Sequence, residues 1–282
     1  MSVFSCFFSS RSIRSMTLVA SLFYAFVSQA TTVQFQTSMG DINVNLFDKT
    51  TPETVKNFLK YVDEGSYRNS VIHRSVTITN TDGSKRPFVV QGGGYTSPAN
   101  VVPLEPIKSK GTVVNEPVYS NLRGTIAMAK PAQQPNGATS QWFFNLHSDN
   151  TTALDPNLYK SGGFTVFGQV DEASLPVLDA MVAVNTFVFG GGLNEFPLRN
   201  YTLDDYRNNA PVTASHFILI NDVVVLNASA DTADSLSPTK NTLLVVAEEK
   251  EKSSGGGSLS LWFLLLVSFF LLARQSTLAI NR

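Results

Sequence analysis

Strict alternation in two neighbouring runs limits what this chain can become more than any other feature. Val33, Phe35 and Thr37 occupy every second position, Ser38-Met39-Gly40-Asp41 supplies a turn, and Ile42, Val44 and Leu46 alternate again. Successive strand residues point to opposite faces, so the pattern predicts an antiparallel hairpin with one buried face. A helix is expected directly after it. Thr51 is placed as its N-cap, Pro52 suits the first helical position, Glu53 faces the positive end of the dipole, and Gly65 fits the left-handed stop. Val55, Phe58, Leu59 and Val62 fall at i, i+3, i+4 and i+7, one apolar stripe that must be covered. A second amphipathic helix is expected from about Ser174, carrying Val177, Leu178, Met181 and Val182.

Short β-rich runs lie around Ile72, 88–91, 124–129, 141–145, 164–170 and 216–226. Many short strands with two helices predict a mainly β fold, a closed antiparallel barrel with its ends capped by the helices. Residues 75–87 and the Gly-, Asn- and Pro-bearing stretch 186–212 are read as surface loops. The first either borders a groove and tunes its choice of ligand or is a decorated turn. A net charge of −1 gives no basic field for nucleic acid. His147 and His216 lack cysteine or carboxylate partners at ligand spacing, so no metal is expected. Gly92-Gly93-Gly94 is not followed by the Lys-Ser or Lys-Thr of a phosphate loop, and Ser140 lacks the flanking glycines of a nucleophile elbow.

What remains is one permanent cation, Arg74, among large apolar side chains in the strings Ile72-His73-Arg74, 88–93 and 140–144. A guanidinium stays charged at any working pH and presents a rigid fork of donors, which suits a reaction in which no covalent bond breaks. Strand alternation sends His73 to the face opposite Arg74, where a structural role is expected, and turns Trp142 and Phe144 away from Phe143 toward the interior.

The strings VIHR, FVVQGGGYT, GTIAMAK, NGATSQWFFNL, ALD and FTVFGQV, in this order, resemble the cyclophilin family of peptidyl-prolyl cis-trans isomerases, with a bacterial flavour in ATSQ. The likeness spans about residues 31–230 and rests on several motifs recurring in order. It implies a closed eight-stranded antiparallel barrel capped by two helices, with no cofactor. It also implies that Arg74 is catalytic, that Phe88, Val89, Phe143, Leu154 and Phe164 form the proline pocket, and that Gln91 and the Ala129 backbone fix the substrate chain. The family often has Met at Val89, an aromatic residue at Ala153, and His or Tyr at Phe164, so an altered pocket rim is expected here. Ala153 in place of a tryptophan is expected to weaken binding of cyclosporin-like macrocycles. The partners implied are proline-containing unfolded or extended polypeptides. The alternative reading is a proline-peptide-binding adaptor or chaperone with weak isomerase activity.

The two ends differ from this middle. Arg11 and Arg14, the apolar stretch 16–27 and then Ser28-Gln29-Ala30 read as a secretory signal peptide over 1–30, cut after Ala30; a retained anchor and a start at Met16 stay open. The sole cysteine, Cys6, lies in that segment, so the processed chain has no disulfide to staple it. Residues 231–254 are read as a flexible polar linker ending in the charged run 248–252. Residues 255–282 hold a glycine-rich stretch, the apolar run 259–273 and Arg274. This tail resembles a GlyGly-CTERM sorting signal, which implies transient membrane attachment ended by a rhombosortase-like protease. A permanent anchor remains the alternative, as does a GPI signal, against which the polar stretch from Arg274 counts. A monomer in the periplasm, secreted or at the cell surface is expected.

Overall fold

In the computed structural model, which describes residues 31–97, 104–156, 162–228 and 236–244, the alternating runs become β1 (Thr32–Thr37) and β2 (Gly40–Leu46). They pair antiparallel with Phe35 opposite Ile42 and Val33 opposite Val44, and every one of these side chains is fully buried. Helix α1 (Pro52–Asp63) follows. Pro52 sits at its start and Gly65, at φ +64°, ends it in the left-handed region, as the sequence predicts. Thr51 holds the N-cap position, but its hydroxyl donates back to the Phe47 carbonyl and makes no cap bond. Of the expected stripe Val55, Phe58 and Val62 are buried and Leu59 half-buried; Tyr61 is fully buried as well. Phe58 lies 5.9 Å from the ring of Phe35 and 5.2 Å from that of Phe167, so α1 closes one mouth of the main core.

The chain then forms β3 (Ser70–Val71), β4 (Arg74–Thr79), β5 (Lys85–Gly92), β6 (Tyr95–Thr96), β7 (Glu105–Pro106), β8 (Thr125–Met128) and β9 (Trp142–Asn145). Next come the short helix α2 (Thr151–Leu154), β10 (Val166–Val170), α3 (Leu175–Val182), β11 (Thr186–Phe187), β12 (Phe196–Pro197), the short helix α4 (Leu203–Arg207) and β13 (Leu219–Asn227). Helix α3 is the second expected helix and buries Leu178 and Met181; α2 and α4, of four and five residues, are additions to the expectation.

The main sheet corrects the expected closed eight-stranded barrel. It is mainly antiparallel and curls round the core, yet its ladders run in one open order of eleven strands, β4-β5-β9-β8-β10-β2-β1-β13-β3-β6-β7. The physical reason lies between β3 and β4. Ile72 donates its N–H to Ile218 on the β13 side, whereas His73 donates to Gln91 on the β5 side. One continuous stretch of chain therefore changes partners, and no ladder joins β3 to β4. The two expected surface loops are also corrected. Residues 75–87 extend the ladder of β4 and β5 and leave only the turn 80–84 between them, because Thr77, Ile78 and Thr79 find partners in Pro87, Arg86 and Lys85. The stretch 186–212 carries its own apolar cluster, in which Phe187, Phe196, Leu198 and Tyr201 pack with Val71 and Phe217.

Residues 236–244, within the stretch read as a linker, lie along 118–120. Ser120 donates its N–H to Thr239, and Asn241 gives its N–H to Val118 and its amide to the Asp155 carbonyl. The expected signal (1–30) and the apolar run 259–273 fall outside the described residues. Among the described residues no helix is long and apolar enough to cross a membrane.

Candidate active site

Cross-strand pairing assembles the site. Arg74 on β4 stands opposite Gln91 on β5, Gln91 opposite Phe143 on β9, Phe143 opposite Ala127 on β8, and Ala127 opposite Val166 on β10. Directly paired residues project from the same face, so this row puts a cation, an amide and an aromatic ring side by side. The flanking residues Trp142 and Phe144 project to the other face, as alternation predicts, and join Phe35 in the main core at ring distances of 4.9 and 5.4 Å.

Phe88 and Val89 are neighbours and should face opposite ways, yet both line the same cavity. A bulge resolves the conflict. Val76 pairs with Val89 and Thr77 with Pro87, which leaves Phe88 as the extra residue, turned toward the side on which Val89 already lies. Leu154 arrives from α2, and Phe164 is fixed through its N–H to the Leu154 carbonyl at 3.0 Å. Its ring meets Phe143 edge-on at 5.7 Å. Behind them Phe47, Val76, Ala127 and Val166 form a second apolar cluster that keeps the pocket walls from collapsing.

The result is a cavity of about 60 Å³ bordered by Arg74, Gln91, Ala129 and the apolar residues Phe88, Val89, Phe143, Leu154 and Phe164. All eight residues singled out from the sequence therefore meet at one place. Ala153, where the family often has an aromatic ring, packs against the same cluster. The Ala129 N–H already donates to the Gln141 carbonyl at 2.9 Å, so a hydrogen bond from Ala129 to a bound chain must use its carbonyl oxygen. Gln91 donates its amide to the Gln141 side chain at 2.7 Å.

Two charged residues at the site escaped the sequence reading. Lys130 follows Ala129, lines the cavity and places its ammonium 5.1 Å from the Phe164 ring centroid; burial lowers its pKa to about 8. Its place in the string GTIAMAK, next to a residue already chosen, was the available signal. Glu195 comes from the distant stretch 186–212 and pairs with Arg74 at 2.8 Å. Nothing in local spacing announces it.

His73 is 3% exposed and packs edge-on to Tyr95 at 5.1 Å, the structural placement expected of it. Burial, and secondarily the charge of Arg74, lowers its pKa to about 4, partly offset by Gln141 and the Val71 backbone. The glycines beside the site have a steric task. Gly93 adopts φ +72°, and a Cβ there would lie 2.5 Å from the Ser140 carbonyl oxygen. Among the described residues no cluster of three metal-ligating side chains occurs.

A family model described as cyclophilin-type peptidyl-prolyl cis-trans isomerase/CLD matches residues 32–208. The chain is 36% identical over 155 residues to peptidyl-prolyl cis-trans isomerase B of Escherichia coli strain K12, covering 55% of this chain and 85% of that protein. It is 35% identical over 161 residues to the isomerase cyp18 of Streptomyces antibioticus, with coverages of 55% and 85%. Isomerase A of Dickeya dadantii is 35% identical over 179 residues, covering 61% of this chain and 80% of its own length.

Proposed function

This chain belongs to the cyclophilin family of peptidyl-prolyl cis-trans isomerases, and we propose that it uses Arg74 to accelerate X-Pro rotation in exported chains. Rotation about the imide crosses a barrier of roughly 18–20 kcal/mol because the nitrogen lone pair is shared with the carbonyl. At the halfway twist that lone pair is localised on nitrogen and becomes an acceptor. A fixed cationic donor aimed at it binds the transition state better than either ground state. The proline ring sits among Phe88, Val89, Phe143, Leu154 and Phe164, while Gln91 and the Ala129 carbonyl hold the flanking backbone. No proton is exchanged and no cofactor is needed.

The observation that carries this reading is the cross-strand row of Arg74, Gln91 and Phe143 beside an apolar cavity. It is tested by a coupled assay on an Ala-Pro peptide. Arg74→Ala is expected to lose at least about tenfold in kcat/KM, the loss of one transition-state donor, with peptide binding retained. Equal rates in the two proteins would refute the donor role and favour the peptide-binding adaptor.

The address is extracytoplasmic in this reading. Cleavage after Ala30 would make Thr31 the N-terminus, and the Thr31 N–H and hydroxyl already donate to Asp48 at 3.1 and 2.8 Å. A new α-ammonium would meet a carboxylate there, which supports processing at that bond. The tail 255–282 then holds the enzyme at the membrane as a monomer until a rhombosortase-like protease removes it. Intact mass of the protein from cells reads both ends. A product retaining residues 1–30 would end the secretory reading, and one retaining 255–282 would make the anchor permanent.

A further inference from the structure

The Arg74 side chain makes two hydrogen bonds among the described residues, and both go to one carboxylate. Its Nε donates to Glu195 Oε2 at 2.8 Å and its Nη2 to Glu195 Oε1 at 3.5 Å. Gln91, the cross-strand neighbour of Arg74, gives its amide to Gln141 instead. We propose that Glu195 is the positioning residue of the catalytic arginine, a carboxylate brought in by the 186–212 excursion to fix the plane of the guanidinium. The inference rests on the reading of Arg74 as the transition-state donor.

The excursion is built to hold that carboxylate in place. The Glu195 carbonyl accepts the N–H of Ser75 at 2.8 Å, so its backbone is fastened to the edge of β4 one residue beyond Arg74. The next residue, Phe196, is fully buried against Phe217 at a ring distance of 5.7 Å. Glu195 is therefore clamped at its main chain and at its neighbour. Its side chain, 39% exposed, reaches the 16% exposed side chain of Arg74.

An arginine has several soft torsions, and an undirected one must be frozen each time the imide twists. A carboxylate on the Nε edge removes that freedom beforehand and leaves Nη1 and the second Nη2 hydrogen for the substrate. Preorganised donors of this kind act on the transition state more than on the bound peptide, so the effect belongs in kcat.

The test compares kcat and KM on an Ala-Pro peptide for the wild type, Glu195→Ala, Glu195→Gln, Arg74→Ala and the double variant Arg74→Ala/Glu195→Ala, with melting temperatures alongside. Glu195→Ala is expected to lower kcat about ten- to a hundredfold at unchanged KM, a misplaced catalytic group costing up to about a hundredfold. Glu195→Gln keeps an acceptor oxygen and recovers most of the rate. In the Arg74→Ala background the Glu195 substitution changes nothing further, because the two act as one unit. A Glu195→Ala rate equal to or above wild type, or the same fractional loss in both backgrounds, overturns the positioning role. If Glu195→Ala does not fold, Glu195→Gln decides alone, since a tenfold loss with the acceptor still present also overturns it. A full rate in Arg74→Ala would instead overturn the donor assignment itself.

Discussion

Lowering the pH from about 7.5 to 5 should weaken this protein through one side chain, His73. Its imidazole is 3% exposed and has a pKa of about 4, against an ordinary value of 6.5. Above the unfolded value both states carry the neutral ring and the term is absent. As pH falls below it, the unfolded chain takes up a proton that the folded protein refuses, so stability drops until pH reaches the folded value. From those two pKa values the loss is about 2 kcal/mol near pH 5 and about 3 kcal/mol near pH 4. That is a sizeable share of the roughly 5–15 kcal/mol by which domains are stable. The window is clean on both sides. Glu64, Asp82 and Asp205 are held below the usual carboxylate range, chiefly by bonds from Lys110, Ser84 and Thr202, so their contributions are lost only at lower pH. Lys130 titrates above the window. Urea unfolding at the two pH values, wild type against His73→Gln, reads the effect, with the variant expected to show a flatter dependence. A proton NMR titration of the native imidazole gives a second measure that does not depend on the variant folding. A ring that titrates near 6.5 in the folded protein, or equal pH dependence in both proteins, would refute the reasoning.

Gly93→Ala should destabilise the protein by more than about 2 kcal/mol, since the new methyl would meet the Ser140 carbonyl at 2.5 Å on a left-handed backbone; an unchanged urea midpoint would contradict the cramped geometry. Lys130 should make peptide affinity pH-dependent. Burial already disfavours its ammonium, docking a proline ring buries it further, and binding therefore favours the neutral amine, so KM for an uncharged Ala-Pro peptide is expected to fall as pH rises through about 8. Lys130→Met should flatten that profile, and a wild-type KM constant across it would exclude the effect.

Local pattern alone determined the hairpin of β1 and β2, helix α1 with its glycine stop and the inward aim of Trp142 and Phe144, while the family resemblance of the motif strings picked out the residues that line the cavity except Lys130. Those features follow from side-chain periodicity, backbone preference and motif strings, all of which are written within a few residues of one another. The rest was settled by partners far apart in sequence. Ile72 and His73 divide their hydrogen bonds between opposite neighbours, so the sheet stays open where a closed ring was expected. Phe88 turns into the pocket because the β4 ladder is one residue short opposite it, which no reading of Phe88-Val89 in isolation can reveal. Glu195 reaches Arg74 across 121 positions because Phe196 needs an apolar shelter beside β4. A strand's two edges and a side chain's counter-charge are open choices until the chain has folded, and only the three-dimensional packing makes them.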